Sequence, residues 1–256
     1  MTNQSAVRRD QGSYFFWMSW LFLAIVVVAF GWSLGAGSYL SFEPFPPYLV
    51  VHGAVLLAWF AWFAMQTTLV RMRRVVSHRR MGKAGVLIAL AVLVTSPMVT
   101  LNNPGRLARF GLDWDSDMAM VPHLGIEGQT MLDFSPLVVF GNFAALLQFA
   151  IFFGGAIYWR ARSDIHKRLM LLAGLVLVPP ALARISRWPI FGGEDSGFVP
   201  LTLLALLLSL LVHDLVALRR VHVASWVGVI AMIAINAAAF ALAGSEAGRA
   251  FVQSLV

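Results

Sequence analysis

Seven apolar stretches, each about as long as a bilayer's hydrocarbon core is thick, set the terms on which this chain can fold. They run Tyr14–Gly35, Pro47–Val70, Ala84–Leu101, Phe134–Trp159, His166–Ala183, Phe198–Leu218 and Val223–Leu242. A core of roughly 30 Å takes a helix of about 20 residues. Lipid offers no partner to an unpaired backbone group, so such stretches are expected to cross it as helices. Composition agrees, because a chain of 256 residues that is 59% hydrophobic and 12% charged cannot supply the polar skin of a soluble domain. The expected fold is all-α: an integral membrane bundle of about seven transmembrane helices, residues 14–256, behind a short polar tail, 1–13.

Local signals place the joins. Pro46-Pro47 opens the second span, as proline suits a first helical turn. Asn102-Asn103-Pro104-Gly105 reads as the end of the third and the start of a long polar loop, 102–133. Pro179-Pro180 predicts a kink or an early end in the fifth. The first span is read as an uncleaved anchor, since a signal peptide has an apolar region of only about 7–15 residues.

Charge sets the orientation. With the amino terminus cytoplasmic, fourteen of the nineteen Lys and Arg residues fall on the inner side and five (Arg106, Arg109, Arg184, Arg187, Arg249) outside, as the positive-inside rule requires. The basic turns then face anionic lipid head groups, so the net charge of +7 does not point to nucleic acid. Nine of the twelve acids fall outside, making the outer face the natural place for metal or cation chemistry. Cysteine is absent, which excludes disulfides, thiolate metal sites and cysteine nucleophiles.

The inner turns also repeat. Ser77-His78-Arg79-Arg80-Met81-Gly82, Ile165-His166-Lys167-Arg168-Leu169-Met170 and Arg219-Arg220-Val221-His222 each precede an apolar run, which suggests three repeated hairpins added to a first helix. Convergence is the competing explanation, since any short cytoplasmic turn gathers basic residues.

The pattern His52 … Trp59 … Gln66 … Leu69 … His78-Arg79-Arg80-Met81-Gly82 resembles a transmembrane hairpin of uncharacterised bacterial multi-pass membrane proteins, in which a span with His, Trp and Gln leads to an HRxxG turn. The resemblance covers about forty of the 256 residues. It implies a bacterial inner (cytoplasmic) membrane protein of unknown function and carries over no catalytic residue.

Candidate site residues divide by side. On the outer side, His52 lies about 7 Å inside the second span at 1.5 Å per residue, where desolvation makes an ionisable group costly. His123 and Glu127 are four residues apart in the loop, and with Asp133 and Glu43 they would complete a nitrogen and oxygen set suited to zinc or non-haem iron. Asp113, Asp115 and Asp117 lack the glycine and glutamate spacing of a calcium loop. On the inner side, His78, His166, His213, Asp214 and His222 could form a polar cluster, with Asp214 paired to an arginine of a basic turn. Haem is disfavoured, because His52 and His213 lie near opposite leaflets. Both lysines, Lys83 and Lys167, belong to basic turns, which leaves no retinal Schiff base within a span.

Three functions remain open: a protein with an outer metal or small-molecule site, a small-solute transporter, and a structural or assembly subunit. Gln66, Asn142 and Asn236 within the spans suit a transport path or hydrogen bonds between helices. No acid lies near mid-membrane to carry a coupling ion.

Overall fold

The computed structural model describes residues 3–35, 46–120, 128–191 and 197–256. Among these it holds nine α-helices: α1 (Asn3–Gly35), α2 (Pro47–Arg71), α3 (Val75–Arg109), α4 (Met131–Tyr158), α5 (Ser163–Leu175), α6 (Pro179–Ser186), α7 (Phe198–Leu218), α8 (Val223–Gly244) and α9 (Glu246–Gln253). There is no strand among them beyond one isolated bridge, Asp117 to Thr130. Six helices are long and apolar enough to cross a membrane. The pair α5 and α6, bent by 43°, brings the number to seven if the two together are one span.

The break follows from chemistry at Pro179 and Pro180, which occupy the first positions of α6, where no backbone donor is needed. Elsewhere the helices outrun the expected joins. The backbone helix of α1 reaches back through most of the polar tail, and α3 begins at Val75 and ends at Arg109, so residues 102–109 are helix, not loop. Pro97 and Pro104 lie inside α3. Each withholds one donor from the ladder and leaves the others in place, and Asn102 donates its side-chain amide to the Met98 carbonyl at 2.8 Å instead of capping the helix. The short amphipathic α9 was not foreseen, because its eight residues are too few to register as a span.

The core is aromatic and lies where α1, α2, α4 and the α5–α6 pair meet. Trp59 is fully buried, its ring edge-on to Phe149 at 4.8 Å and to Phe153 at 5.4 Å. Two glycines let helices approach: the Trp62 ring occupies the place a side chain at Gly85 would need, and Leu172 does the same at Gly228. The hairpins α2–α3 and α4–α5 are well-packed pairs, whereas α8 packs chiefly on α4 and touches α7 little. The third hairpin is therefore splayed. α7 is the most peripheral span, with 11% of its apolar window buried, and its buried residues are Leu210 and Asp214.

Candidate functional site

The outer candidates are only partly within the described residues. Glu43, His123 and Glu127 fall outside them. His52 is half-buried on α2, and its Nδ1 lies 3.3 Å from the Thr95 hydroxyl on α3. Thr95 gives its own proton to the Ala91 carbonyl at 2.8 Å, so His52 Nδ1 is the donor and Nε2 keeps a lone pair. Asp133 has two structural engagements. It accepts from the Thr130 hydroxyl at 2.8 Å while its amide donates to that hydroxyl, which caps α4, and it receives Arg249 of α9 at 3.2 Å. The loop acids serve local turns: Asp113 accepts from the Ser116 hydroxyl at 2.7 Å and Asp117 from the Ala119 amide at 2.9 Å. Among the described residues, no group of three or more His, Asp or Glu could hold a metal ion.

The candidates expected on the inner side are more tightly built. Arg168 and Asp214 are 1% and 0% exposed. Arg168 Nε donates to both carboxylate oxygens at 3.0 and 3.2 Å, Nη2 bonds Oδ1, and Nη1 donates to the Asp164 carbonyl at 2.7 Å. Ser225 Oγ and the His222 amide donate to the second oxygen at 2.5 and 3.1 Å. Those two donors belong to the first turn of α8, where the helix dipole favours an anion. His222 caps that turn by accepting from the Ala224 amide on Nδ1, which leaves Nε2–H to donate to Asp164 at 3.1 Å. A buried charge pair is tolerable only when its remaining hydrogen-bonding capacity is satisfied, and here α5, α7 and α8 together satisfy it.

A second inner group joins α2, α3 and α5. With its nitrogen toward His78, the Gln66 amide donates to the His78 carbonyl (3.1 Å) and Nδ1 (2.5 Å) and accepts from Trp62 Nε1 (3.2 Å). His166 Nδ1 lies 2.8 Å from the Ala156 carbonyl, to which it must donate. The two imidazoles lie edge-on to one another, ring centroids 6.3 Å apart and planes at 79°. His213 stands apart from them, stacked on Tyr14 at 4.2 Å, while the Tyr14 hydroxyl meets Ser209 at 2.8 Å. Of the other polar candidates, Asn236 donates within its own helix to Met232 at 2.9 Å, and Asn142 is half-buried on α4.

The five expected inner residues therefore form three arrangements: the Asp214 clasp with His222, the edge-on pair His78 and His166, and the stacked His213. Arg168 is the basic-turn arginine that Asp214 was expected to pair with, whereas Ser225 and Trp62 belong to these arrangements without having been singled out in the sequence. The signal available for Arg168 was its place as the third residue of the fifth apolar stretch, where most basic-turn cations lie between stretches. No protein-family model, no curated protein and no solved structure matches this chain.

Proposed function

We propose that the chain is a multi-pass protein of a bacterial inner membrane, amino terminus cytoplasmic, that holds a metal or small-molecule ligand at imidazoles and does not conduct a solute. The fourteen-to-five division of cations supports the orientation, and the basic turns meet anionic lipid head groups. The observation that carries the ligand reading is the economy of the polar groups. Ser19 meets Thr67 at 2.6 Å, Trp20 donates to Thr68 at 3.1 Å, and Arg168 and Ser225 donate to Asp214, so these side chains are engaged in joining helices. The imidazoles of His52 and His166 donate from Nδ1 and keep the lone pair of Nε2, whereas His78 accepts from Gln66 on Nδ1.

The test is ligand content. Full-length protein purified from membranes is expected to carry, or to take up saturably, one metal or metal cofactor per chain, and to lose it when the responsible histidine becomes alanine. If neither His52→Ala, His78→Ala nor His166→Ala lowers the content, the reading fails. The outer alternative, with His52 as ligand beside His123 and Glu127, is favoured by the free Nε2 of His52 and would be identified by loss in His52→Ala alone.

A further inference from the structure

We propose that the outward side of α7 is a dimerisation seam, at which this helix pairs in parallel with the α7 of a second copy of the chain. This goes beyond the ligand-binding reading above and does not depend on it.

Ten of the 21 residues of α7 are leucine, and the fold divides them into two sets. Leu203, Leu206, Leu207 and Leu210 belong to the core or pack against it. The other six are Leu201, Leu204, Leu208, Leu211, Leu215 and Leu218, spaced by 3, 4, 3, 4 and 3 residues. That is a heptad repeat: counted from Leu201, every a and every d position of α7 is leucine. A face that meets only lipid has no need of such a period, since acyl chains accept any apolar side chain at any outward position. Two helices that interlock knobs into holes do need it.

The rotation of α7 turns this seam away from the core and holds it there. Near the inner end Asp214 accepts from Arg168 and Ser225, His213 stacks on Tyr14, and Ser209 meets the Tyr14 hydroxyl at 2.8 Å. Those three residues and the four inward leucines fill b, c, f and g positions of the heptad, leaving a and d outside. Leu201, Leu204, Leu208 and Leu215 are 47–64% exposed, with Leu211 and Leu218 half-buried at the margin. The apolar window of α7 is 11% buried, against 22–39% in the other five long helices.

The bilayer selects the partner and its direction. All copies of the chain enter the membrane with one orientation, so two of them meet about a two-fold axis along the membrane normal. Such an axis sets identical faces against each other. One α7 then lies parallel to the other, and like residues stand at like depth, Leu201 beside Leu201 and Leu208 beside Leu208. A leucine heptad is complementary to itself in that register. Ala205 and Val212, the e positions, are smaller than leucine and let the two helices draw close. The seam offers roughly 500 Å² per chain, about 1,000 Å² across the pair, which is the lower limit for a specific interface. Lipid is as apolar as leucine, so the gain comes from packing and not from leaving water. Pairing is therefore expected to be reversible and to follow the protein-to-lipid ratio.

The experiment uses the full chain, whose lack of cysteine supplies a blank background. Single substitutions are placed on the seam (Leu204→Cys, Leu208→Cys, Leu211→Cys and Leu215→Cys) and at two exposed controls, Val216→Cys on α7 and Leu87→Cys on α3. Each is oxidised in the membranes of the expressing cells with a lipid-soluble oxidant, and linked dimer is read on a non-reducing gel. The expected yield at seam positions is at least about fivefold that at either control. Replacing Leu204, Leu208 and Leu211 together by alanine should weaken association at least about tenfold, read as energy transfer between amino-terminal fluorescent tags in liposomes over a range of protein-to-lipid ratios. Elution profile and thermal unfolding should stay near wild type, because none of the three belongs to the core; if that variant misfolds, the cysteine series decides. Equal linking at seam and control positions, or no energy transfer by the wild type at any ratio, overturns the inference and leaves lipid as the cover of α7. Linking strongest at Leu87→Cys overturns it too, and moves the interface to α3.

Discussion

Asp214 is a carboxylate with four donors and no exposure on the most peripheral of the long apolar helices. Removing it would leave Arg168 buried without its counter-ion, and breaking such a pair costs about 3–5 kcal/mol. Asp214→Ala is therefore expected to unfold at markedly lower temperature or denaturant in detergent, while the double variant Arg168→Met, Asp214→Leu recovers most of the loss, as a well-packed apolar replacement of a buried pair does. Equal stability of the single and double variants would show that the pair contributes little. Ser225→Ala should cost less, about 1.5–3 kcal/mol for a bond to a charged group. The acid was conspicuous in the sequence as the lone carboxylate of its span. Its partner was not, because Arg168 lies 46 residues away among fourteen inner cations and only the packing of α5 on α8 selects it.

Asp133 illustrates the opposite case. Its exposed pair with Arg249 should contribute no more than about 1 kcal/mol, and the Thr130 cap about 1 kcal/mol. Asp133→Asn is expected to change stability by about 1 kcal/mol or less and to leave metal content unaltered; a loss of bound metal would return Asp133 to the outer ligand set. What concealed these engagements in the sequence is that Arg249 belongs to α9, whose docking no periodicity in the α4 region announces.

Among the helices, glycine distinguishes a motif from its mechanism. The HRxxG turn ends at Gly82, yet a side chain built there would meet nothing within 4 Å. Three residues on, at Gly85, the same addition would run into the Trp62 ring. Gly82→Ala is expected to be neutral or slightly stabilising, since alanine is the better helix former by about 0.8–1.0 kcal/mol. Gly85→Ala should destabilise by about 1–3 kcal/mol through overpacking and alter Trp62 fluorescence. Thermal unfolding of the two variants side by side decides the matter. The double proline, by contrast, was readable at once, because its missing donors act locally whatever the tertiary setting. The run Asn102 to Gly105 misled for the same reason: its turn chemistry is a local preference, which the continuing ladder of α3 overrides.

For the whole molecule, the absence of cysteine makes the orientation directly measurable. Arg160→Cys lies in the turn between α4 and α5, and Ser254→Cys lies just beyond α9, both exposed. In intact cells stripped of any outer membrane, an impermeant maleimide is expected to label Ser254→Cys at once and Arg160→Cys only after permeabilisation. The reverse pattern would invert the topology. The number of spans was legible because lipid demands length and apolarity of each separately. Which span lies beside which was not, since apolar helices in a bilayer carry no strong pattern that names a neighbour. Hence α8 rests on α4 and not on α7, its neighbour in the chain.

That arrangement bears on how the protein is made. Asp214 enters the bilayer on α7 after Arg168 has already been delivered on α5, and before Ser225 and the amide of His222 have been synthesised in full. A nascent α7 therefore finds a waiting guanidinium, while its last two donors arrive only with the following helix. Biogenesis has a built-in order: the arginine holds the late span in place until α8 completes the clasp, and a chain truncated after α7 would leave that span half-anchored and open to membrane proteases.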